Sequence, residues 1–126
     1  MKFTEIETEK KFRAFAELVY AKMGWGKMPV TRFKYSNTLQ WKGHCFGRYL
    51  DGKPHSVYVN ISSNPLIHPT EKDVWNSLLH ELVHVKLHWE GYPIPKAFGH
   101  GKAFKNVVKE MVKVSNGLYS YKRIMK

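Results

Sequence analysis

TEKDVWNSLLHELVHVKLHWEGYP, residues 70–93, decides how this chain is read. Thr70 has the side chain of a helix N-cap, and Glu71 and Asp73 suit a first turn, where the helix dipole favours negative charge. Val74, Leu78 and Leu82, with Val85 or Trp89, recur at helical spacing and predict a buried stripe. Gly91 and Pro93 stop the pattern, so the spacing predicts a helix from Thr70 to about His88 or Trp89. On that helix His80 and His84 stand four residues apart. Four residues turn about 400° and rise about 6 Å, so both imidazoles leave one face and can grip one ion. Neutral imidazole nitrogen is a good zinc ligand. Glu81, beside the first ligand, is placed to reach a zinc-activated water without binding the metal, as its general base. The H-E-x-x-H pattern has these mechanics only on a helix. His88 continues the series, but it stands about 12 Å along the axis from His80 and cannot share its ion. A His84–His88 pair would leave Glu81 misplaced, so His88 is expected at the surface or on the substrate side.

A catalytic zinc needs a third protein ligand and an open fourth position. His100 is the leading candidate. It lies between Gly99 and Gly101, whose small size permits close backbone approach. The loop after His84 is long enough to return over the helix. His44, His55 and His68 are rivals and stay unassigned. Glu110 is another, although beside Lys109 and Lys113 a solvated carboxylate is the default.

Outward from this helix, the remaining elements fall into order. Thr4 and Glu7 form a capping-box pattern before Phe12, Phe15, Ala16, Val19 and Met23, which recur at helical spacing until Gly24. Val30–Tyr35, Leu39–Tyr49 and Ser56–Ile61 read as strands, with Asp51-Gly52 as a tight turn and Gly43 and Gly47 as kinks or bulges. A three-stranded antiparallel meander is the economical arrangement. A last helix runs from near Gly101 to Val114, with Gly117 as its stop. The expectation is one α+β domain over residues 1–126.

The 126 residues are 43% hydrophobic and 25% charged, which excludes global disorder. The one cysteine, Cys45, rules out an internal disulfide and points to a reducing, intracellular setting. The N-terminus has no apolar run of the signal-peptide kind, and no stretch has the length of a membrane span. A monomer is expected. The net charge of +11, from 21 basic and 10 acidic residues, favours a polyanionic partner such as DNA. Seven cations and one acid fall between Ala21 and Pro54, and eight cations and one acid from Lys96 onward.

HELVH, a short loop and then GHGKAF resemble the SprT-like zinc metallopeptidases, the group that includes Spartan. The likeness spans roughly residues 10–115 and is specific around 80–104; VYVNIS is loosely similar to the strand that precedes the active-site helix in that family. The resemblance implies a small zincin-type fold. It implies His80, His84 and His100 as zinc ligands, Glu81 as catalytic residue and Phe104 as an anchor behind the last ligand. It implies a protein substrate that pairs as an added strand with a sheet edge, for which Ser56–Ile61 is the expected edge. Spartan-type members act on DNA-bound or DNA-crosslinked proteins. Many relatives carry a zinc ribbon built from cysteine pairs, and one cysteine cannot build it. The basic tail around Tyr119, Tyr121, Lys122, Arg123 and Lys126 could then substitute as a single-strand contact, against the plainer reading of a solvated tail with packed tyrosines. The competing functional reading is a basic nucleic-acid-binding protein with a structural or vestigial zinc. Against it, a structural zinc closes its four positions with protein ligands and has no need of Glu81.

Overall fold

The structure, a computed structural model, describes residues 5–126, with side chains from Glu7 onward. Thr4 of the first capping-box pattern lies outside the described residues. Helix α1 spans Glu5–Met23, followed by strands β1 (Thr31–Ser36), β2 (Gly43–Leu50) and β3 (Lys53–Ser62). Helices α2 (Glu71–Trp89), α3 (Ile94–Ala97), α4 (Lys102–Val114) and α5 (Tyr121–Met125) complete the α+β order.

The sheet is mixed and not an antiparallel meander. Its order is β1-β3-β2, with β3 in the centre, parallel to β1 and antiparallel to β2. Side-chain alternation is the same whichever neighbour a strand has, so the pattern in Val30–Tyr35 was silent on partner and direction. Burial decides instead. Val57, Val59 and Ile61 are fully enclosed, each worth about 1.5–3 kcal/mol against exposure, and the central position gives β3 cover on both sides. The chain therefore crosses from β1 to β2 over the end of β3. The crossing is pinned where Ser62 N–H donates to the Lys42 carbonyl at 2.9 Å and the Ser62 hydroxyl to the Thr38 carbonyl at 2.7 Å. Asp51 and Gly52 close the β2–β3 hairpin with φ of 52° and 76°, the double left-handed geometry of the tightest hairpin turn.

Helices cover one face of the sheet. Phe12 of α1 meets Tyr35 and Trp75 edge-on, with centroids 5.4 and 5.6 Å apart. Thr70 and Asp73 exchange hydrogen bonds as a full capping box at the start of α2. The second half of α2 is buried on nearly every side, from Leu78 and Leu79 through Glu81–Val85 to Leu87 and His88. It is the central helix, enclosed by the sheet and by α3, α4 and α5. Helix α3, in a stretch expected to be loop, begins behind Pro93 with Pro95 in its first turn, where a missing N–H costs nothing. Among the described residues no helix is long and apolar enough to cross a membrane.

Candidate metal centre

The structure brings His80, His84 and His100 together: one ring nitrogen from each lies within 4.8 Å of the other two. His100 Nε2 is 2.9 Å from His80 Nε2 and 3.3 Å from His84 Nε2. Each ring of the helical pair is oriented from behind. His80 Nδ1–H donates to the Ile124 carbonyl at 2.7 Å, and His84 Nδ1–H to the Ala97 carbonyl at 2.8 Å. A carbonyl only accepts, so Nδ1 carries the hydrogen and Nε2 turns its lone pair toward the common point. This is how metal-binding imidazoles are held. Lone pairs facing each other at such separations repel unless a proton or cation lies between them. A tetrahedral zinc with nitrogen ligands at about 2.0–2.1 Å spaces them about 3.4 Å apart, close to the His84–His100 separation. The donor set therefore fits a divalent ion of the zinc type.

Phe104, the fully buried first-turn residue of α4, forms the floor. Its ring centroid lies 4.8 Å from His80, 4.7 Å from His84 and 4.9 Å from His100. His100 reaches the centre from the segment between α3 and α4. Gly99 is required there, because a Cβ would stand 2.5 Å from the Pro95 carbonyl oxygen. Gly101 faces open space. The expected reason for the flanking glycines, close approach to a metal, is thus replaced by crowding against α3 at Gly99 alone.

Glu81 is buried under β2, where a Cβ on Gly43 would lie 3.1 Å from its carboxyl oxygen. Among the described residues its second oxygen, Oε2, has no hydrogen-bond partner. Burial pushes its pKa up to about 8. Burial also pushes His84 down to about 4 and lowers His80, in each case against the opposing pull of the backbone carbonyl. Both imidazoles are therefore neutral at pH 7, the form in which they could hold a metal. A cleft of about 360 Å³ opens over His80, Glu81 and His100 and is rimmed by Lys42, Asn76 and Arg123.

The other candidates lie elsewhere. His44 and His55 are exposed on the sheet, and Glu110 is exposed on α4. His68 is buried and structural, bonded to the Ser62 carbonyl at 2.8 Å and the Ser77 hydroxyl at 2.7 Å. His88 is fully buried under β2, not at the surface. The Cys45 thiol, pushed well up by burial and by nearby Glu81, stays protonated. Two orienting groups escaped the sequence reading, the carbonyls of Ala97 and Ile124. Backbone carbonyls leave no side-chain signature. The α5 turn that presents Ile124 was still marked by Ser120, whose hydroxyl caps it by accepting from Arg123 N–H.

Comparison with curated proteins and with solved structures gave no match. The model of the SprT-like family matches residues 9–123, a span that contains the whole histidine cluster. On that match over nearly its whole length, this chain belongs to the SprT-like family.

Proposed function

We propose that this chain is a zinc-dependent metallopeptidase, with His80, His84 and His100 holding the ion and Glu81 as general acid and base. One observation carries the reading: a buried carboxyl with an unpartnered oxygen stands beside three converging imidazole nitrogens at the floor of an open cleft. When bound, zinc supplies Lewis acidity, acidifying water and polarising a carbonyl. Glu81 handles the proton. A neighbouring divalent charge favours its ionised form over the neutral form that burial favours. The carboxylate then accepts a proton from the attacking water and returns it to the leaving amine. The His80 and His84 imidazoles stay fixed through the Ile124 and Ala97 carbonyls and take no part in proton transfer.

The substrate edge differs from the one first expected. Ser56–Ile61 lies in β3, which is central and paired on both sides, so it has no free edge. Strand β2 is the edge beside α2, and its Gly43 lies against Glu81. An extended peptide added to β2 passes the cleft with its main chain toward Glu81. The net charge of +11 favours proteins bound to nucleic acid as substrates. A purely structural zinc needs four protein ligands, and among the described residues three histidines converge, two of them lining the cleft.

The test is zinc content together with casein cleavage, with and without single-stranded DNA, for wild type and Glu81→Gln. The variant should keep one zinc and lose cleavage. Equal cleavage by both proteins ends the peptidase reading.

A further inference from the structure

Among the described residues, the helices cover one face of the sheet and leave the other open, with Arg32, Lys34, His44, Phe46 and Arg48 exposed on it. On this open face the register sets two rows across the strands. Arg32, Tyr58 and Phe46 form one row, and Lys34, Asn60 and His44 the next. Phe46 and Tyr58 are stacked at 4.9 Å with an interplanar angle of 8°. The Arg48 guanidinium lies 5.2 Å over the Tyr58 ring. In the other direction His44 lies 5.6 Å from Phe46, and Trp41 lies 6.2 Å from His44. The result is a continuous run of ring contacts across β2 and β3 in which Phe46, 40% exposed, offers an open ring, edged by Arg32, Lys34 and Arg48. Strands β1, β2 and β3 contain four Lys or Arg residues and no Asp or Glu. A groove of about 960 Å³ continues from this face along the free edge of β1, past Lys27, Arg32 and Lys34. The acids that line it, Glu9 and Glu17, sit on its α1 wall.

We propose that this open sheet face binds single-stranded nucleic acid. Aromatic faces stack on bases of any sequence, and neighbouring cations take the phosphates. A sheet that displays aromatic residues in adjacent strands is a known solution for unpaired bases. A duplex hides its base faces and can use only the cations. Self-association is opposed, because a second copy would bring Arg32, Lys34 and Arg48 against like charge. The run ends at Trp41, and the next residue, Lys42, rims the cleft of His80 and Glu81. A strand held here delivers a protein attached to it to that cleft. This delivery role rests on the peptidase reading; the binding itself does not.

The experiment uses the whole chain carrying Glu81→Gln. Fluorescence anisotropy follows a labelled 15-nucleotide single strand and the corresponding duplex, and sedimentation follows vesicles of phosphatidylserine and phosphatidylcholine. The single strand should bind about tenfold or more tighter than the duplex. Phe46→Ala should weaken it about tenfold through lost stacking. The triple change Arg32→Ala, Lys34→Ala, Arg48→Ala, all at exposed positions, should flatten the salt dependence of log K by about 2. Circular dichroism confirms that each variant is folded, and the triple variant stands as the test if Phe46→Ala is not. Equal affinity for duplex, indifference to these substitutions, or vesicle binding without strand binding overturns the proposal. Cleavage by wild type without strand binding removes this inference alone. Strand binding with no cleavage by wild type removes the peptidase reading alone.

Discussion

His80, His84 and His88 stand on one stripe of α2, each four residues from the next, yet they are two different kinds of histidine. Across from His80 and His84, backbone carbonyls fix Nδ1 and a third imidazole meets Nε2. Across from His88 lies Gly47, packed so closely that a Cβ there would be 2.3 Å from the ring. Tyr49 stands edge-on to the same ring at 4.8 Å. Among the described residues, neither ring nitrogen of His88 makes a hydrogen bond of good geometry; the Arg48 backbone lies near enough only to oppose in part the lowering of its pKa by burial. The spacing along the helix is identical. What faces the helix makes one pair a site and the third a wedge between α2 and β2.

The comparison breaks first at Glu81. Glu81→Gln should lower peptide cleavage by at least about 100-fold, the scale of lost general-base catalysis, with zinc content unchanged. A variant that loses zinc as well would make Glu81 part of the ligand set. Next comes the carbonyl behind His80. Truncation after Ser120 removes α5 and the Ile124 carbonyl, and zinc affinity should fall about 10–100-fold. A competition titration with a zinc-sensitive dye reads it; unchanged affinity would leave the tail with no role behind the ligand.

On the His88 side the expected effects are structural. Gly47→Ala should cost about 2–3 kcal/mol, because a fully buried ring has nowhere to retreat. Urea unfolding measures it, and a neutral result would show that the wedge is loose. Acidity and alkalinity act on the metal-free chain in opposite directions. Below pH 6.5 the unfolded chain takes up protons that His84, held down at about 4, refuses. Stability present above 6.5 is therefore lost as pH falls toward 4. Burial lowers His80 and His88 in the same direction. Glu81 works the other way: its folded pKa is raised to about 8, so stability is lost as pH rises through that value. Between pH 6.5 and 8 the loss should be about 1–2 kcal/mol, and Glu81→Gln should abolish it in melts of metal-free protein. The smallest effect belongs to His88→Leu. Exchanging two nitrogens that make no hydrogen bond of good geometry for carbon should leave stability within about 1 kcal/mol. Zinc should stay at one ion per chain, and lost zinc would erase the distinction between the two kinds of histidine.

Much of the fold was legible because its signals are local. Thr70, Asp73, Gly91 and Pro93 bound α2 as caps and breakers do anywhere, and the Asp51-Gly52 turn needs only its own φ angles. The β-sheet order was not legible. A strand's alternation records which face is buried, not which strand lies beside it, so β1 was placed beside β2 when it lies parallel to β3. The same error moved the expected substrate edge to β3. The tail reads as a nucleic-acid contact or as a solvated segment with packed tyrosines, and Tyr119 and Tyr121 do pack against the core. Ile124 is buried in a capped turn, and no local pattern announces that its carbonyl holds His80.

The sequence by itself determined the spacing of His80, Glu81 and His84 on a helix, because 3.6 residues per turn depends on nothing outside the helix. It also marked the later G-H-G segment and the basic excess. Only the tertiary structure decided which distant groups face that helix: His100 and two carbonyls at one end of the stripe, and a glycine at the other. Those partners come from residues far along the chain, brought together by burial of β3 and α2, and no local pattern records them.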